Sequence, residues 1–344
     1  MPISHDNQNS IRASLGRIKR KLKRKLSFLV SSFRLSQFDN KSIPDDQKEL
    51  RLFAMARNEA LRLPYFIEYY FSKGVDRIFL IDNGSTDNTR QIALSYDNVH
   101  VLKTTESFVN YSNWMEIALD RYGVGRWCLS ADIDEIFQYP YSEQLTLKQL
   151  CVFLDEQGDT AMQSLLLDMY SDKPIRLNTY QAGQNPLEVS PYFDPQYEES
   201  IKVWVNQRTQ EQFNCARFTG GMRLRLFGAK VSMSKIPLFK YDKGVFAGRG
   251  MHGMDGVKFS KVRGAVLHFK YLQDFNKRVV NEADRGEHEG GAADYKLYAK
   301  KVEENSDLNC FFEGSVKFVD GEQLVKIGIM KSNNEIKEFA RTQY

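Results

Sequence analysis

The stretch VDRIFLIDNGSTDNT, residues 75–89, decides the fold class of this chain. Its apolar run predicts a buried β-strand, and Asn83-Gly84 predicts a turn. One of residues 85–87 is then expected to cap a helix that continues through RQIALSY. The sequence therefore predicts a strand, a turn and a helix in immediate succession.

The same arrangement recurs on both sides of this stretch. Strand-like apolar runs alternate there with segments of helical periodicity, namely LRLFAMARNEA (50–60), RLPYFIEYYFSKG (62–74), NVHVLKT (98–104), SNWMEIALDRYG (112–123) and RWCLSADIDEIF (126–137). Strands that alternate with helices of this kind are typical of βαβ units. We therefore expect an α/β fold with a mostly parallel central sheet, as in nucleotide-binding proteins.

Polar clusters follow three of the predicted strands, at 57–59, 82–87 and 132–135. The carboxyl ends of the strands form the ligand-binding edge of an open α/β sheet, so the clusters should converge there. If the strand before Asp132 stays extended, Asp132 and Asp134 point to one side and the residue between them to the other. Two such carboxylates repel each other unless a cation compensates them, and hard oxygen ligands favour Mg²⁺ or Mn²⁺.

Composition and length are those of a globular protein. The chain has 344 residues, of which 42% are hydrophobic and 27% charged. We expect no membrane-spanning helix, because no run of about 18 apolar residues occurs, and the N-terminus lacks the layout of a secretion signal. The four cysteines are scattered without metal-binding spacing and are expected to be reduced. These features predict a cytoplasmic protein.

The N-terminal segment is strongly basic. Residues 1–40 carry nine Lys or Arg against two Asp, a balance of +7, so the remainder carries −3 of the net +4. Apolar residues recur there at spacings of three and four, the period of one helical face, at Ile11, Leu15, Ile18, Leu22, Leu26, Leu29 and Phe33. Such an amphipathic helix with basic flanks is typical of docking on an anionic membrane surface, which we expect for residues 11–33.

A basic amphipathic helix has two other common uses. Packing on its own domain or on a partner protein is the alternative to membrane docking. Nucleic-acid binding is not expected, because the mildly acidic remainder of the chain offers no second basic face.

The three polar clusters, taken in order, resemble the motifs of GT-A glycosyltransferases. RNE, DNGSTD and DIDE look like the R-N-E, D-N-G-S-T-D and D-x-D-E-F motifs of the bacterial family-2-like group. GGMRLRLFG, SKIPLFKY and GAVLHFKYLQDFNKRVVNEADRGEH also resemble that group, so the resemblance covers roughly residues 50–300. It implies a GT-A-like nucleotide-binding fold.

This resemblance divides the chain into three parts. Residues 1–45 would be the basic amphipathic helix and a linker, 46–275 the GT-A-like domain, and 276–344 a helical segment followed by a β-hairpin. Gly290-Gly291 is expected to break the helical segment, and Asp320-Gly321 predicts the hairpin turn.

The resemblance also implies an activity. The protein would be a metal-dependent hexosyltransferase that moves a sugar, with inversion, from a nucleotide-sugar donor to a glycolipid or polysaccharide acceptor in cell-surface polysaccharide biosynthesis. The implied nucleotide-sugar-binding residues are Arg57, Asn58, Glu59, Asp82 and Asp132. Asp132 and Asp134 would hold Mn²⁺ or Mg²⁺ on the diphosphate, where the cation offsets the charge of the leaving group.

The sequence does not decide which residue is the catalytic base. Asp255 and His252, in GRGMHGMDG, are candidates on the expected acceptor side, and Asp168 and Asp172 compete with them. Asp255 equally suits a turn residue. His252 or His268 could complete the metal shell, although a histidine in an apolar run is commonly a hydrogen-bonded core residue.

Three basic residues follow the Gly220-Gly221 pair. Arg223, Arg225 and Lys235 are candidates to bind the diphosphate or an anionic acceptor. The alternation of apolar and basic residues in GGMRLRLF equally describes a half-buried strand with a solvated face.

Two other functions compete with sugar transfer. A phosphatase of the haloacid dehalogenase type also has Asp-x-Asp after an apolar strand, but on its first strand rather than on the fourth. A degenerate transferase that only binds a glycan or a partner is the other, and the intact Asp82, Asp132 and Asp134 argue against it. We therefore expect a glycosyltransferase peripherally associated with the inner face of the plasma membrane.

Overall fold

The computed structural model describes residues 5–343, apart from the side chains of residues 5–14 and 289. Its helices are α1 His5–Arg34, α2 Leu63–Ser72, α3 Thr89–Leu94, α4 Tyr111–Tyr122, α5 Leu147–Glu156, α6 Gly221–Phe227, α7 Phe275–Arg285, α8 Glu289–Glu304, α9 Gly321–Lys326 and α10 Asn334–Thr342. Short 3₁₀ turns lie at Phe108–Asn110, Ile175–Leu177, Pro186–Glu188 and Arg249–Met251.

Fifteen strands lie in the same described part of the chain. They are β1 Ser36–Gln37, β2 Arg51–Ala56, β3 Arg77–Asp82, β4 Val99–Lys103, β5 Trp127–Ser130, β6 Glu135–Gln138, β7 Ala161–Tyr170, β8 Tyr192–Phe193, β9 Tyr197–Val205, β10 Gln212–Gly220, β11 Ser234–Lys240, β12 Phe246–Ala247, β13 Met254–Asp255, β14 Gly264–His268 and β15 Val316–Lys317.

A central sheet of eleven strands organises the fold. Nine of them follow the order β1-β4-β3-β2-β5-β11-β7-β14-β6, and β8 and β15 attach through β7. The neighbours among β2, β3, β4 and β5 pair in parallel, so the predicted α/β class with its parallel sheet is confirmed. The later half is mixed, because β11 is antiparallel to β5 and β7, and β14 is parallel to β7 but antiparallel to β6.

Both faces of the sheet are buried. In β3 the side chains of Ile78 and Leu80 join one core cluster, whereas Phe79 and Ile81 join the cluster on the opposite face. This explains why the strand reads as a continuous apolar run up to Asp82. Each of these buried side chains stabilises the fold by about 1.5–3 kcal/mol.

The predicted helix after β2 is confirmed as α2. Leu63, Phe66, Ile67 and Tyr70 are its buried face, and Gly74 follows the last turn with a φ of +93°, a conformation that glycine adopts without strain.

The cap of the next helix differs from the prediction. Asn88 precedes α3, not one of residues 85–87, and its side chain makes no capping bond. Asp87 instead accepts hydrogen bonds from the N–H groups of Thr89 (3.0 Å) and Ala60 (3.1 Å). The turn after β3 is thereby tied to the turn after β2.

The N-terminal helix α1 has two different faces. Its polar face packs on α4, where Arg24 pairs with Glu116 at 2.5 Å and Asn113 donates to Ser27 at 2.9 Å. The predicted apolar stripe points away from the body, with Leu26 65% and Phe33 88% exposed. The other described members of the stripe, Leu15, Ile18, Leu22 and Leu29, are also exposed, whereas the side chain of Ile11 lies outside the described residues.

Two predicted β-segments are helical. GGMRLRLF is α6 rather than a half-buried strand, because Gly220 and Gly221 take φ values of +133° and +62° that end β10, and Gly228 closes the helix with a φ of +69°. Asp320 does not form a hairpin turn. Its side chain accepts from the N–H of Gln323 at 2.7 Å and so caps α9.

The C-terminal helical segment covers the carboxyl edge of the sheet. α7 ends at Arg285 and is followed by Gly286, which has a φ of +66°. Residues 290–292 are left-handed inside α8, so the predicted break at Gly290-Gly291 coincides with irregular backbone. Arg278 of α7 pairs with Glu59 after β2, at 2.6 Å. The segment after residue 275 therefore packs against the part before it. No helix among residues 5–343 has the length and apolarity to cross a membrane.

Candidate active site

A cavity of about 320 Å³ opens at the carboxyl edge of the parallel strands. Its floor is formed by the residues that follow β2 and β5, and one wall by α7 and the first turns of α8. All three predicted polar clusters lie at this edge, as expected for an open α/β sheet. The charged and histidine side chains that line it are Arg57, Glu59, Asp132, Asp134, Glu135, Arg223, Lys235, His252, His268, Lys270, Arg278, Glu282, Arg285, His288 and Asp294.

Asp132 and Asp134 both line the cavity, but not as an extended strand. β5 ends at Ser130, and the N–H of Glu135 donates to the carbonyl of Asp132 at 2.9 Å, which closes a tight turn. The chain turns here because β6 must run back antiparallel to β14. Ile133, between the two aspartates, is 5% exposed and belongs to the core beneath the turn.

A buried lysine holds this turn in place. Lys235 Nζ of β11 lies 3.0 Å from Asp132 Oδ2 and 2.7 Å from Glu135 Oε1. The second carboxylate oxygen of Glu135 accepts from the N–H of Asp132 at 3.1 Å. Burial raises the pKa of Glu135 to about 7, although Lys235 opposes the increase. Glu135 therefore supports the turn.

Asp134 begins a chain of charged contacts. Its Oδ2 lies 3.4 Å from His268 Nε2, His268 Nδ1 lies 2.7 Å from Asp168 Oδ1, and Arg223 Nε donates to Asp168 Oδ2 at 2.6 Å. Strand register creates this order, because His268 is paired with Asp168 on β7. Burial alone would lower the pKa of His268, but the two carboxylates raise it to about 9.

The donor chemistry here suits a divalent cation. A carboxylate oxygen of Asp134 and Nε2 of His268 converge, and a bound cation would replace the proton that Nε2 carries at a pKa of about 9. The hydrogen bond of His268 to Asp168 fixes the orientation of the ring, as in histidine metal ligands. No group of three or more His, Cys, Asp or Glu side chains within the described ranges is assembled as a metal site. Mg²⁺ and Mn²⁺ are commonly held by one or two carboxylates together with substrate phosphates, so these residues fit such an ion.

The three residues after β2 that were predicted to bind the nucleotide differ in their position relative to the cavity. Arg57 is exposed at the cavity and donates to the carbonyl of Asn83 at 3.0 Å. Glu59 is buried and paired with Arg278 through bonds of 2.6 and 3.1 Å. Asn58 does not line the cavity. It takes a φ of +56° and its side chain accepts from the N–H of Thr86, so it shapes the neighbouring turn.

Asp82 is fully buried at the end of β3. Its carboxylate accepts from Arg90 at 2.5 and 3.0 Å and from the N–H of Ser85 at 3.0 Å. Asp82 therefore holds the strand, the turn and α3 together, and its contact with a base or ribose stays a prediction.

The two predicted catalytic residues are separated. His252 lines the cavity and its Nδ1 lies 2.5 Å from the carbonyl of Ser234. Burial, together with the charge of Lys235, lowers the pKa of His252 to about 3, so the imidazole is neutral. Asp255 lies in the β12–β13 hairpin, where it accepts from Asn206 at 2.9 Å, and it does not line the cavity. This position gives its predicted role as the base no support.

The wall formed by α7 and α8 was not identified from the sequence. Arg285 donates to the side chain of Asn83 at 2.8 Å and lies 5.6 Å from the ring of Phe108, and Tyr295 and Tyr298 of α8 face the same cavity. Arg278 and Arg285 are seven residues apart and so share one helical face. This spacing is the feature of the sequence that could have indicated the cavity wall. An arginine stripe on a helix is equally typical of a solvated surface, so the spacing alone does not identify the wall.

The part of the chain that supplies the residues after β2, β3 and β5 is similar to a known protein family. Residues 54–145 match the family described as Glycosyl transferase family 2, which confirms the resemblance for that segment. No curated protein matches the chain.

Two solved structures show a distant likeness. One is glucosyl-3-phosphoglycerate synthase from Mycobacterium tuberculosis in complex with Mn²⁺, uridine diphosphate and glucosyl-3-phosphoglycerate, at 15% identity and a TM-score of 0.25, covering 36% of this chain and 50% of that one. The other is a mannosyltransferase from Pyrobaculum calidifontis in complex with GDP-Man and Mn²⁺, at 15% identity and a TM-score of 0.26, covering 52% of this chain and 56% of that one. The chain thus spans about half the length of each.

Proposed function

Because residues 54–145 carry a Glycosyl transferase family 2 segment, we propose that this protein transfers a sugar from a nucleotide-sugar donor to a hydroxyl group of a glycan or glycolipid. One observation carries the proposal beyond the family match. Asp132, Asp134 and His268 converge with cationic side chains of β11 and α7 on one cavity at the carboxyl edge of parallel strands. This is where α/β folds bind nucleotides.

The nucleoside would occupy the end of the cavity near β3. Arg57 and Arg285 both donate to Asn83 there, and the guanidinium of Arg285 lies over the ring of Phe108. The remaining donors of the two guanidinium groups can bind the polar edge of a base. The diphosphate would then extend toward the turn that carries Asp132 and Asp134.

We propose Mn²⁺ or Mg²⁺ as the cofactor, held by Asp134 and His268 with Asp132 beside them. The 3.4 Å between Asp134 Oδ2 and His268 Nε2 is a separation that two ligands of one cation can have. Such a cation offsets the negative charge that develops on the diphosphate as the sugar bond breaks. Lys235 and Glu135 keep the backbone of the turn in position for this role.

The acceptor hydroxyl would approach from the side of His252, with inversion at the sugar carbon as the family resemblance implies. His252 Nδ1 donates to the Ser234 carbonyl, so the lone pair of Nε2 is the acceptor on its ring. With a pKa of about 3, this imidazole can accept a hydrogen bond from a hydroxyl but holds a proton poorly. We therefore propose that His252 orients the acceptor and that a carboxylate takes the proton.

We further propose that α1 docks the enzyme on an anionic membrane surface at the inner face of the plasma membrane. The support is the exposure of the Leu22 and Leu26 side of α1, opposite the polar face that packs on α4. Leucines can enter the apolar boundary while Lys19, Lys23 and Lys25 beside them meet acidic headgroups. A membrane-associated role in cell-surface polysaccharide synthesis is consistent with such a position.

A donor screen tests the proposed activity. Purified full-length protein with Mn²⁺ would be titrated with UDP-, GDP- and CMP-sugars, and binding and slow hydrolysis would be measured. Saturable, metal-dependent binding of one donor class is expected. Absence of binding and of hydrolysis across the panel would refute the transferase assignment.

A further inference from the structure

The end of the cavity beyond His268 holds a second group of cations. Lys270, two residues after β14, and Arg223 of α6 meet there with Tyr295 and Tyr298 of α8. We propose that these residues form an anion subsite, separate from the diphosphate site, that binds a carboxylate or phosphate group on the sugar or acceptor. The inference rests on the proposed function and narrows its substrate class to an acidic saccharide or its phosphorylated counterpart.

Among the described residues Lys270 makes no ion pair with a carboxylate, and its charged or titratable neighbours are Tyr295, Tyr298 and Arg223. Its Nζ donates to the hydroxyl of Tyr295 at 3.2 Å and lies 4.2 and 5.2 Å from the ring centres of Tyr295 and Tyr298. An ammonium has three donors, and the phenol oxygen accepts one of them. Asp294 lines the same cavity but does not pair with Lys270.

Arg223 adds donors at the same place. Its Nε is bonded to Asp168, but its Nη2 is buried and has no acceptor among the described residues. Asp168 is also bonded to His268, so its single negative charge is shared between two cations. Even if His268 is neutral, the charges of Lys270, Arg223 and Asp168 leave one positive charge in excess.

Three other cations of the cavity wall are in a different situation, whereas Arg57 is exposed near β3 and bonded to the carbonyl of Asn83. Lys235 is bonded to Asp132 and Glu135, Arg278 to Glu59, and Arg285 to Glu287. These groups are paired before any ligand arrives. An oxyanion is the ligand class that would satisfy both Nη2 of Arg223 and the remaining donors of Lys270.

A purely structural role for Lys270 would be a contact of its ammonium with the two tyrosine rings. Packing on the rings would bury the aliphatic stem of Lys270 and stabilise part of its charge. It would leave the buried Nη2 of Arg223 without an acceptor. Lys270 and Arg223 lie together at one end of the cavity, past the residues proposed to hold the cation. Their joint position indicates a site for an anionic group of the substrate.

The subsite can be tested with simple probes on the full-length protein. Inorganic phosphate, glucuronate and, as a neutral comparison, glucose would be titrated by calorimetry, with and without saturating UDP or GDP and Mn²⁺. We expect glucuronate or phosphate to bind more tightly than glucose, and the stronger of the two identifies the anion. Binding should persist when the nucleotide is present.

Three variants separate charge from packing. Lys270→Met keeps the stem on the tyrosine rings and should weaken anion binding by about tenfold or more, whereas Lys270→Arg should retain it. Lys296→Met is the matched control, since Lys296 is exposed on α8. UDP and GDP affinity should stay within about twofold in all three variants, because the subsite is separate from the diphosphate.

Each other outcome is decisive. Unchanged anion affinity in Lys270→Met, or no anion binding by the wild type, overturns the subsite. A parallel loss of nucleotide affinity would assign Lys270 to the donor diphosphate and also overturns it. Anion binding that depends on Lys270 in a protein that binds no nucleotide would leave the subsite standing and refute the proposed function instead.

Discussion

Oδ2 of Asp134 lies 3.4 Å from Nε2 of His268, although one residue follows β5 and the other ends β14. The register of β14 on β7 places His268 beside Asp168, which bonds its other ring nitrogen and so turns Nε2 toward the aspartate turn. The acidic motif and a histidine from the later half of the chain thus form one unit.

Replacing Asp134 tests this unit. Asp134→Ala should weaken Mn²⁺-dependent binding of a nucleoside diphosphate by about 10–100-fold, because it removes one of two convergent donor atoms. Calorimetry in Mn²⁺ and in EDTA gives the metal-dependent part. Asp97→Ala, at an exposed aspartate, is the control. Equal affinity of the Asp134 variant and the wild type in Mn²⁺ would exclude Asp134 as a ligand.

Lys235 should be required for stability as well as for the turn. Lys235→Met leaves the carboxylate of Glu135 buried without its cation, and breaking a buried pair in this way costs about 3–5 kcal/mol. The double variant Lys235→Met/Glu135→Gln removes both charges and should recover much of that loss. Urea unfolding measures all three proteins. A single variant as stable as the wild type would show that the pair is not needed.

Acid stability should depend on Glu49. Burial would raise the pKa of Glu49, but bonds from Arg77 and Arg51 outweigh it and hold the pKa below its ordinary value of 4.5. A pKa lowered by folding stabilises the protein above the unfolded-state value, and this stabilisation is lost as pH falls through the folded-state value.

Glu49→Gln should therefore be less stable than the wild type at pH 7, by about 1.5–3 kcal/mol, and the difference should shrink below about pH 4.5. Urea unfolding at a series of pH values measures it. Glu322→Gln, at an exposed ion pair with Lys326, should show little difference at any pH. A gap between Glu49→Gln and the wild type that widens toward acid would contradict the assignment.

The exposed stripe of α1 should bind anionic membranes. Leu22→Glu/Leu26→Glu places two charges on the stripe and should reduce sedimentation with anionic liposomes by about tenfold or more, while thermal unfolding stays unchanged because both side chains are exposed. Val319→Glu, at a 69% exposed apolar residue elsewhere, is the matched control. Liposome binding equal to that of the wild type would refute membrane docking through this face.

The strand and helix order of the first half was predictable because the signals there are local. Apolar runs, the glycine turn at Asn83-Gly84 and the helical spacing of α2 act within a few residues of each other. The position of Asp132 and Asp134 at the sheet edge followed from the same order. Their conformation did not, since the turn that carries them depends on β6 pairing with β14, more than 120 residues later.

Other predictions failed where a local pattern had two meanings. GGMRLRLF alternates like a strand, but the positive φ values of the two glycines at its start allow a helix, and only packing decides between strand and helix. Asp320 before Gly321 suits both a hairpin turn and a helix cap, and here it is a cap.

The sequence by itself determined the α/β class, the acidic clusters and the amphipathic character of α1, since each is a property of residues that are neighbours along the chain. The tertiary structure alone decided which charges meet. It turned the leucines of α1 outward, removed Asp255 from the cavity, and brought Lys235, His268, Lys270 and the arginines of α7 to it. These contacts join residues far apart in the chain, and their energies depend on strand register and burial, which local sequence patterns do not encode.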